Sequence, residues 1–180
     1  MANANQQSDP MERVMALRLI DSDPCANAAH LLCDQRDPAA IAFTLVATDL
    51  GSVNLTYGEL RAESIHFAAA LSWLGVVAGN RVATLMGKSR AFLVTVMAIW
   101  RLGAVYVPLF TAFAPPAVAF RVKESRCKVI ICDAAQRPKL EPSDSRSLKI
   151  IGPLGYLSPL LSERFVGNDD GMRALDDWVG

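Results

Sequence analysis

Residues 81–109, RVATLMGKSRAFLVTVMAIWRLGAVYVPL, decide how this chain folds. Residues 81–86 form a short apolar run directly after the turn pair Gly79-Asn80, which is the pattern of a strand. Residues 89–102 are long enough for a helix, and Gly103 stands where a helix ends. Residues 104–109 form a second apolar run closing in a proline-containing segment. Strand, helix and strand joined by short connections make a βαβ unit, and such units build a parallel sheet. The alternation continues downstream. Pro115-Pro116 opens a helix running to about residue 126, proline being well placed in a first turn. Residues 128–132 read as a third strand, Asp133 is expected to cap a short helix to residue 140, and residues 148–151 follow a polar linker as a fourth strand. Parallel strands are covered on both faces, so residues 104–109 and 129–132 are expected to be buried throughout.

Upstream, Thr56-Tyr57-Gly58-Glu59 is a capping box, in which the Thr56 hydroxyl accepts an amide proton and Glu59 reaches back. Leu60, Ser64, Phe67, Leu71 and Leu74 recur at helical spacing on one face, and Gly75 closes that helix. Before residue 50 the pattern predicts helices over 11–20 and 24–35, a strand over 39–47, a turn at Asp49-Leu50-Gly51-Ser52 and a return strand at 53–55. The expected organisation is a helical and hairpin arm (1–52), an α/β unit (53–151) and an irregular tail (152–180) with a short helix near 172–179. There is no internal repeat.

With 52% hydrophobic residues and a mean hydropathy of +0.24, the chain has ample material for a core. Eighteen basic residues balance eighteen acidic ones, and no long run has one sign, which argues against nucleic acid or an anionic membrane as the main partner. Residues 1–10 lack the basic and apolar regions of a secretory signal. The most membrane-like stretch, 91–114, carries Arg101 and is broken by Gly103 and Pro108, so no membrane span and a cytoplasmic location are expected. Cys25, Cys33, Cys127 and Cys132 are then expected as buried thiols, without disulfides or a metal, since no pair has the short spacing of a structural zinc site.

Complete catalytic constellations are missing. Gly87-Lys88-Ser89 sits between strand and helix as the end of a P-loop would, but the position five residues before Gly87 is Val82, where a P-loop needs glycine to curl around phosphate. The same segment approximates a hydrolase nucleophile elbow, yet His30 and His66 both precede Ser89 rather than follow it. No Gly-x-Gly-x-x-Gly follows a strand, which removes the dinucleotide reading. The carboxylate pairs Asp169-Asp170 and Asp176-Asp177 read as solvated faces. No catalytic residue is therefore assigned.

Several runs resemble the AMP-forming adenylating enzymes when taken in order. Leu55-Thr56-Tyr57-Gly58-Glu59-Leu60-Arg61 is similar to the family's "TYxEL" entry. Ala69-Ala70-Leu71, Leu74-Gly75-Val76 and Gly79-Asn80-Arg81-Val82-Ala83 are similar to its "AxxLxxLGVxxGDRVA". Residues 99–109, IWRLGAVYVPL, are similar to its "LAxxRxGAVYVPL". Phe110-Thr111-Ala112-Phe113-Ala114-Pro115 and Lys128-Val129-Ile130-Ile131-Cys132-Asp133 resemble the acyl-CoA synthetase branch acting on short and medium-chain acids. The resemblance covers residues 38–140, with two departures: Gly87-Lys88 stands where the family usually has proline-asparagine, and Ala114 where glycine is common.

The resemblance implies a partial N-terminal α/β domain of an adenylating enzyme. It also implies a chemistry in which ATP adenylates a carboxylic acid and the CoA thiol then displaces AMP, with magnesium at the phosphates. The family's "TSGTTG" phosphate loop has no counterpart, because this chain contains neither a Ser-Gly nor a Thr-Gly dipeptide. The later adenine-binding stretch, the ribose-binding aspartate and the domain with the catalytic lysine also have none. The expectation is thus a fragment inactive alone, with no cofactor of its own, although the family uses ATP, Mg and CoA. By resemblance to acetate-type relatives, Phe110, Thr111, Ala112 and Arg137 are candidates for contact with the CoA nucleotide, and Lys139 is a weaker one. The alternatives are a non-catalytic module binding CoA, an acyl group or a partner, and one half of a split ligase completed by a second polypeptide. An unpaired sheet edge and uncovered helix faces lead to an expectation of self-association.

Overall fold

The computed structural model describes residues 9–22, 26–140 and the backbone of 149–151. Side chains alternating across the central strand organise the fold. In β3 (Arg81–Leu85), Val82 points into one apolar layer while Ala83 and Leu85 point into the other. β5 (Val129–Cys132) does the same, with Val129 and Ile131 on the first side and Ile130 and Cys132 on the second. These strands pair in parallel, Val82 opposite Val129 and Leu85 opposite Cys132. β4 (Val105–Pro108) pairs with the other side of β3, and β6 (Lys149–Ile151) with the far side of β5, giving the order β4-β3-β5-β6.

Two helices cover the first layer. α2 (Tyr57–Trp73) starts at the expected capping box, with Thr56 Oγ1 accepting from the Glu59 amide at 3.2 Å and Glu59 Oε2 accepting from the Thr56 amide at 2.8 Å. Its predicted face is buried at Leu60, Ser64, Phe67, Leu71 and Leu74. The helix ends in a Schellman turn: Gly75, at φ +83°, donates to the Ser72 carbonyl and Val76 to that of Leu71. α3 (Arg90–Arg101) is capped by Ser89, whose Oγ accepts from the Phe92 amide at 3.2 Å, and it ends the same way at Gly103, φ +64°. On the opposite side of the sheet, α4 (Pro115–Ser125) packs Val118 and Val122 against Leu85, Ile130 and Leu109.

The segment before residue 57 holds α1 (Pro10–Asp21) and an antiparallel hairpin of β1 (Ile41–Val46) and β2 (Ser52–Thr56), as expected. The helix expected over 24–35 is different. Its described part narrows to a π-helical turn, His30–Asp34, preceded by Asn27, whose Oδ1 accepts from the Ala29 amide at 2.9 Å. Asn27 and Asp34 are both drawn to Arg101: Asn27 donates to the Arg101 carbonyl at 2.8 Å, and the Arg101 guanidinium grips both Asp34 oxygens at 2.7 and 2.8 Å. That competing demand widens the turn.

β4 corrects a second expectation. It is not buried on both faces, for Val105 is 47% exposed and Pro108 is exposed as well. The strand lies at the sheet margin, with no partner on its outer side among the described residues. The amides of Val105 and Leu109 donate inward to Asn80 and Thr84, so the backbone polar groups of Tyr106 and Pro108 point to the outer side of the strand. Pro108 has no amide hydrogen to offer there, which blunts the edge against another strand. Residues 141–148, the tail from 152 and its expected helix lie outside the described residues.

Candidate functional site

Three loops leave the carboxyl edge of the sheet together: 86–89 after β3, 109–114 after β4 and 133–140 after β5. Parallel strands carry every strand-to-helix loop to the same edge, which is why open α/β sheets place ligands there.

In the first loop, the P-loop reading fails on geometry as well as on sequence. The Gly87 amide, which would face a phosphate, donates instead to Asp133 Oδ2 at 2.6 Å. Ser89 Oγ is committed to capping α3, and Lys88 is exposed. The second loop carries Phe110, Thr111 and Ala112. Phe110 is 63% exposed, and its ring meets that of Phe113 edge-on at 5.7 Å. The Arg121 guanidinium lies over the Phe113 ring, 4.0 Å from its centroid. Ala112 is exposed.

The third loop is a six-residue 3-10 helix, Ala134–Lys139, rather than an α-helix. Asp133 was expected to cap it. It makes no side-chain capping bond, because its carboxylate has turned to Gly87. Lys139 Nζ donates to the Thr111 carbonyl, so the weakest of the candidates suggested by resemblance is the one that joins two loops. Arg137 stands between these anchors, exposed. Phe110, Thr111 and Ala112 are thus brought to the same edge as Arg137 and Lys139. The Gln136 side-chain oxygen is buried there without a hydrogen-bond partner among the described residues.

Among the described residues no thiol is poised as a nucleophile, and Cys25 lies outside them. Burial pushes Cys132 up to about 11, with Arg137 opposing the shift. Burial likewise raises Cys33 and Cys127. His30 and His66 lie on helical segments, His30 beside Asp34 at 3.8 Å, and the Ser89 hydroxyl is engaged by the Phe92 amide. Among the described residues no group of three His, Cys, Asp or Glu could hold a metal ion, and no helix is long and apolar enough to cross a membrane.

Sequence reading missed the polar cluster that ties the first segment to the α/β unit. Asp34 holds Arg101, which also donates to Ser64 Oγ at 3.1 Å, and Arg61 Nε approaches Asp34 at 3.8 Å. The Arg101 hydrogen bonds hold the Asp34 carboxyl below the usual carboxylate range against its own burial. The one available signal was Arg101 itself, a charge at the end of a largely apolar helix that needs a partner where it is buried.

Residues 33–165 match the sequence pattern of the family described as AMP-binding enzyme. Over 78 residues, 43% of this chain and 12% of the relative, the chain is 41% identical to an acetyl-coenzyme A synthetase of Chlorobaculum tepidum. Over 104 residues, 58% of this chain and 20% of the relative, it is 36% identical to a long-chain-fatty-acid–CoA ligase of Mycobacterium tuberculosis. The solved structure of an acyl-CoA synthetase from Brucella canis superposes at a TM-score of 0.69 with 31% identity, covering 83% of this chain and 28% of that one. The chain therefore covers less than a third of the length of each. The ordered motifs, the parallel sheet and these likenesses agree that the chain belongs to the AMP-binding enzyme family, with the α/β fold of its acyl-CoA synthetases.

Proposed function

We propose that this chain is a non-adenylating portion of an acyl-CoA synthetase, supplying the carboxyl-edge platform that meets CoA while other residues handle ATP. The observation that carries the reading is the gathering of Phe110, Thr111, Arg137 and Lys139 on adjoining loops, fastened by Lys139 on the Thr111 carbonyl. An exposed aromatic ring and an exposed guanidinium suit a nucleotide that ends in phosphates, the ring by stacking and the cation by charge. Adenylation is assigned elsewhere because these 180 residues hold no Ser/Thr/Gly loop, and the amide at the strand-to-helix turn is already taken by Asp133. ATP, magnesium and the carboxylic acid are accordingly substrates and cofactors of the whole enzyme, which we place in the cytoplasm. Titrating CoA into the purified chain by calorimetry, with Arg137→Ala as the comparison, tests the platform. Saturable heat that Arg137→Ala weakens supports it, and no saturable heat from the unsubstituted chain contradicts it.

Exposed apolar surface favours completion by a second polypeptide or by another copy. α2 carries a second stripe, Ala62, Ile65, Ala69 and Trp73, on the side away from the core. Met11, Val14, Met15, Leu17, Leu19 and Ile20 of α1 are also exposed. Surfaces of this kind mark association. Light scattering with size-exclusion chromatography, run on the chain alone and with the unmatched remainder of a relative, separates self-association from complementation.

A further inference from the structure

The chain changes direction across its sheet at β3. The crossover from β3 to β4 places α3 on one side, and that from β4 to β5 places α4 on the other, so β3 and β5 flank the topological switch point. In open α/β sheets ligands settle in the crevice outside the carboxyl ends of such a pair. Here the crevice is bridged: Asp133, immediately after β5, accepts from the amide of Gly87, two residues beyond β3, at 2.6 Å. The Asp133 amide also donates to the Leu85 carbonyl at 3.3 Å.

This clasp has a counterpart at the other end of the same segment, where Lys139 reaches the Thr111 carbonyl. The 3-10 helix Ala134–Lys139 is thus tied at one end to the loop after β3 and at the other to the loop after β4. A six-residue 3-10 helix containing Pro138 has little stability of its own, so its position on the sheet edge depends on ties of this kind. Position 87 adds a discriminating detail. Where the family pattern has proline there is no amide hydrogen to donate, so this tie depends on the glycine of this chain.

We propose that Asp133 is a positioning residue: by clasping Gly87 it holds the 134–139 segment so that Arg137 faces a phosphate-bearing ligand at the carboxyl edge. This rests on the reading of that edge as the CoA platform, but it is a separate claim about what orients Arg137. The clasp is one charge-assisted hydrogen bond at a partly exposed site, and its loss is expected to change exchange and affinity by about tenfold.

The test uses the full chain, ¹⁵N-labelled, with Asp133→Ala, Asp133→Asn and Gly87→Pro, following the Gly87 amide, the Arg137 Nε–H and CoA affinity. Asp133→Ala is expected to speed Gly87 exchange about tenfold, to bring the Arg137 signal toward that of a free side chain, and to weaken CoA about tenfold. Asp133→Asn keeps an acceptor oxygen and is expected to recover most of each effect. Gly87→Pro removes the donor while leaving the Asp133 carboxylate in place and is expected to copy the Arg137 and CoA changes of Asp133→Ala, so it serves if Asp133→Ala fails to fold. An unmoved Arg137 signal in both Asp133→Ala and Gly87→Pro overturns the proposal, as does unchanged CoA affinity in variants whose Arg137 is released. If the unsubstituted chain takes up no CoA, the platform reading fails, and the Arg137 signal alone then decides the positioning claim.

Discussion

Replacing Arg101 by methionine isolates what holds the first segment onto the α/β unit. The guanidinium makes two bonds to Asp34, at 2.7 and 2.8 Å, and one to Ser64 Oγ at 3.1 Å. The side chains of Asp34 and Arg101 retain only 11% and 15% of their exposure. Methionine fills most of the volume, so the loss is electrostatic: a nearly buried carboxylate is left with Arg61 Nε and His30 Nδ1, each 3.8 Å away. Removing one member of a buried pair costs about 3–5 kcal/mol, and the help from Arg61 sets the expectation at the lower end, about 3 kcal/mol. For a domain of this size that lowers Tm by roughly 10 °C. Urea denaturation followed by circular dichroism, in a double-mutant cycle with Asp34→Asn, measures the coupling. Asp34→Asn in the Arg101→Met background is expected to recover part of the loss, because the stranded charge disappears. The pH dependence has a definite sign. Asp34 is depressed below its ordinary 3.8, chiefly by the Arg101 bonds, so its stabilisation is present above that value and is lost as pH falls through the lower folded value. A cost under about 1 kcal/mol for Arg101→Met, the figure of an exposed ion pair, would refute the reasoning.

Two further outcomes follow from local geometry. Thr56→Ala removes the hydroxyl that accepts from the Glu59 amide, and it is expected to destabilise the chain by about 1 kcal/mol in the same denaturation assay, with Thr56→Ser recovering most of it. Cys132, pushed up to about 11 by burial, is expected to resist alkylation by iodoacetamide at pH 8 in the folded chain and to react fully in denaturant, as read by mass spectrometry.

How much of this could be read from the residues depended on the distance over which each feature is decided. The α2 capping box and the glycine ends of α2 and α3 are settled within six residues, and they stand where the sequence places them. The continuous burial of β5 was legible in its unbroken apolar run, because that strand is covered on both faces. β4 has the same apolar composition, yet its exposure is set by what lies beside it, which a strand's own residues do not state. The π turn at His30–Asp34 and the true partner of Asp133 escaped for a related reason. Asp34 answers to Arg101, 67 residues away, and Asp133 to Gly87, 46 residues away. At the carboxyl edge, Phe110, Thr111, Ala112 and Arg137 were suggested by resemblance rather than by spacing. The two cross-loop ties that bring them into one place became visible only with the fold.

The division of labour between this chain and the residues that handle ATP is tested most directly by ATP–pyrophosphate exchange. The purified chain is incubated with ATP, magnesium and a panel of short, medium and long carboxylic acids, with no other protein present. The account predicts exchange indistinguishable from a protein-free control for every acid. Acid-dependent exchange that scales with the concentration of the chain would contradict it.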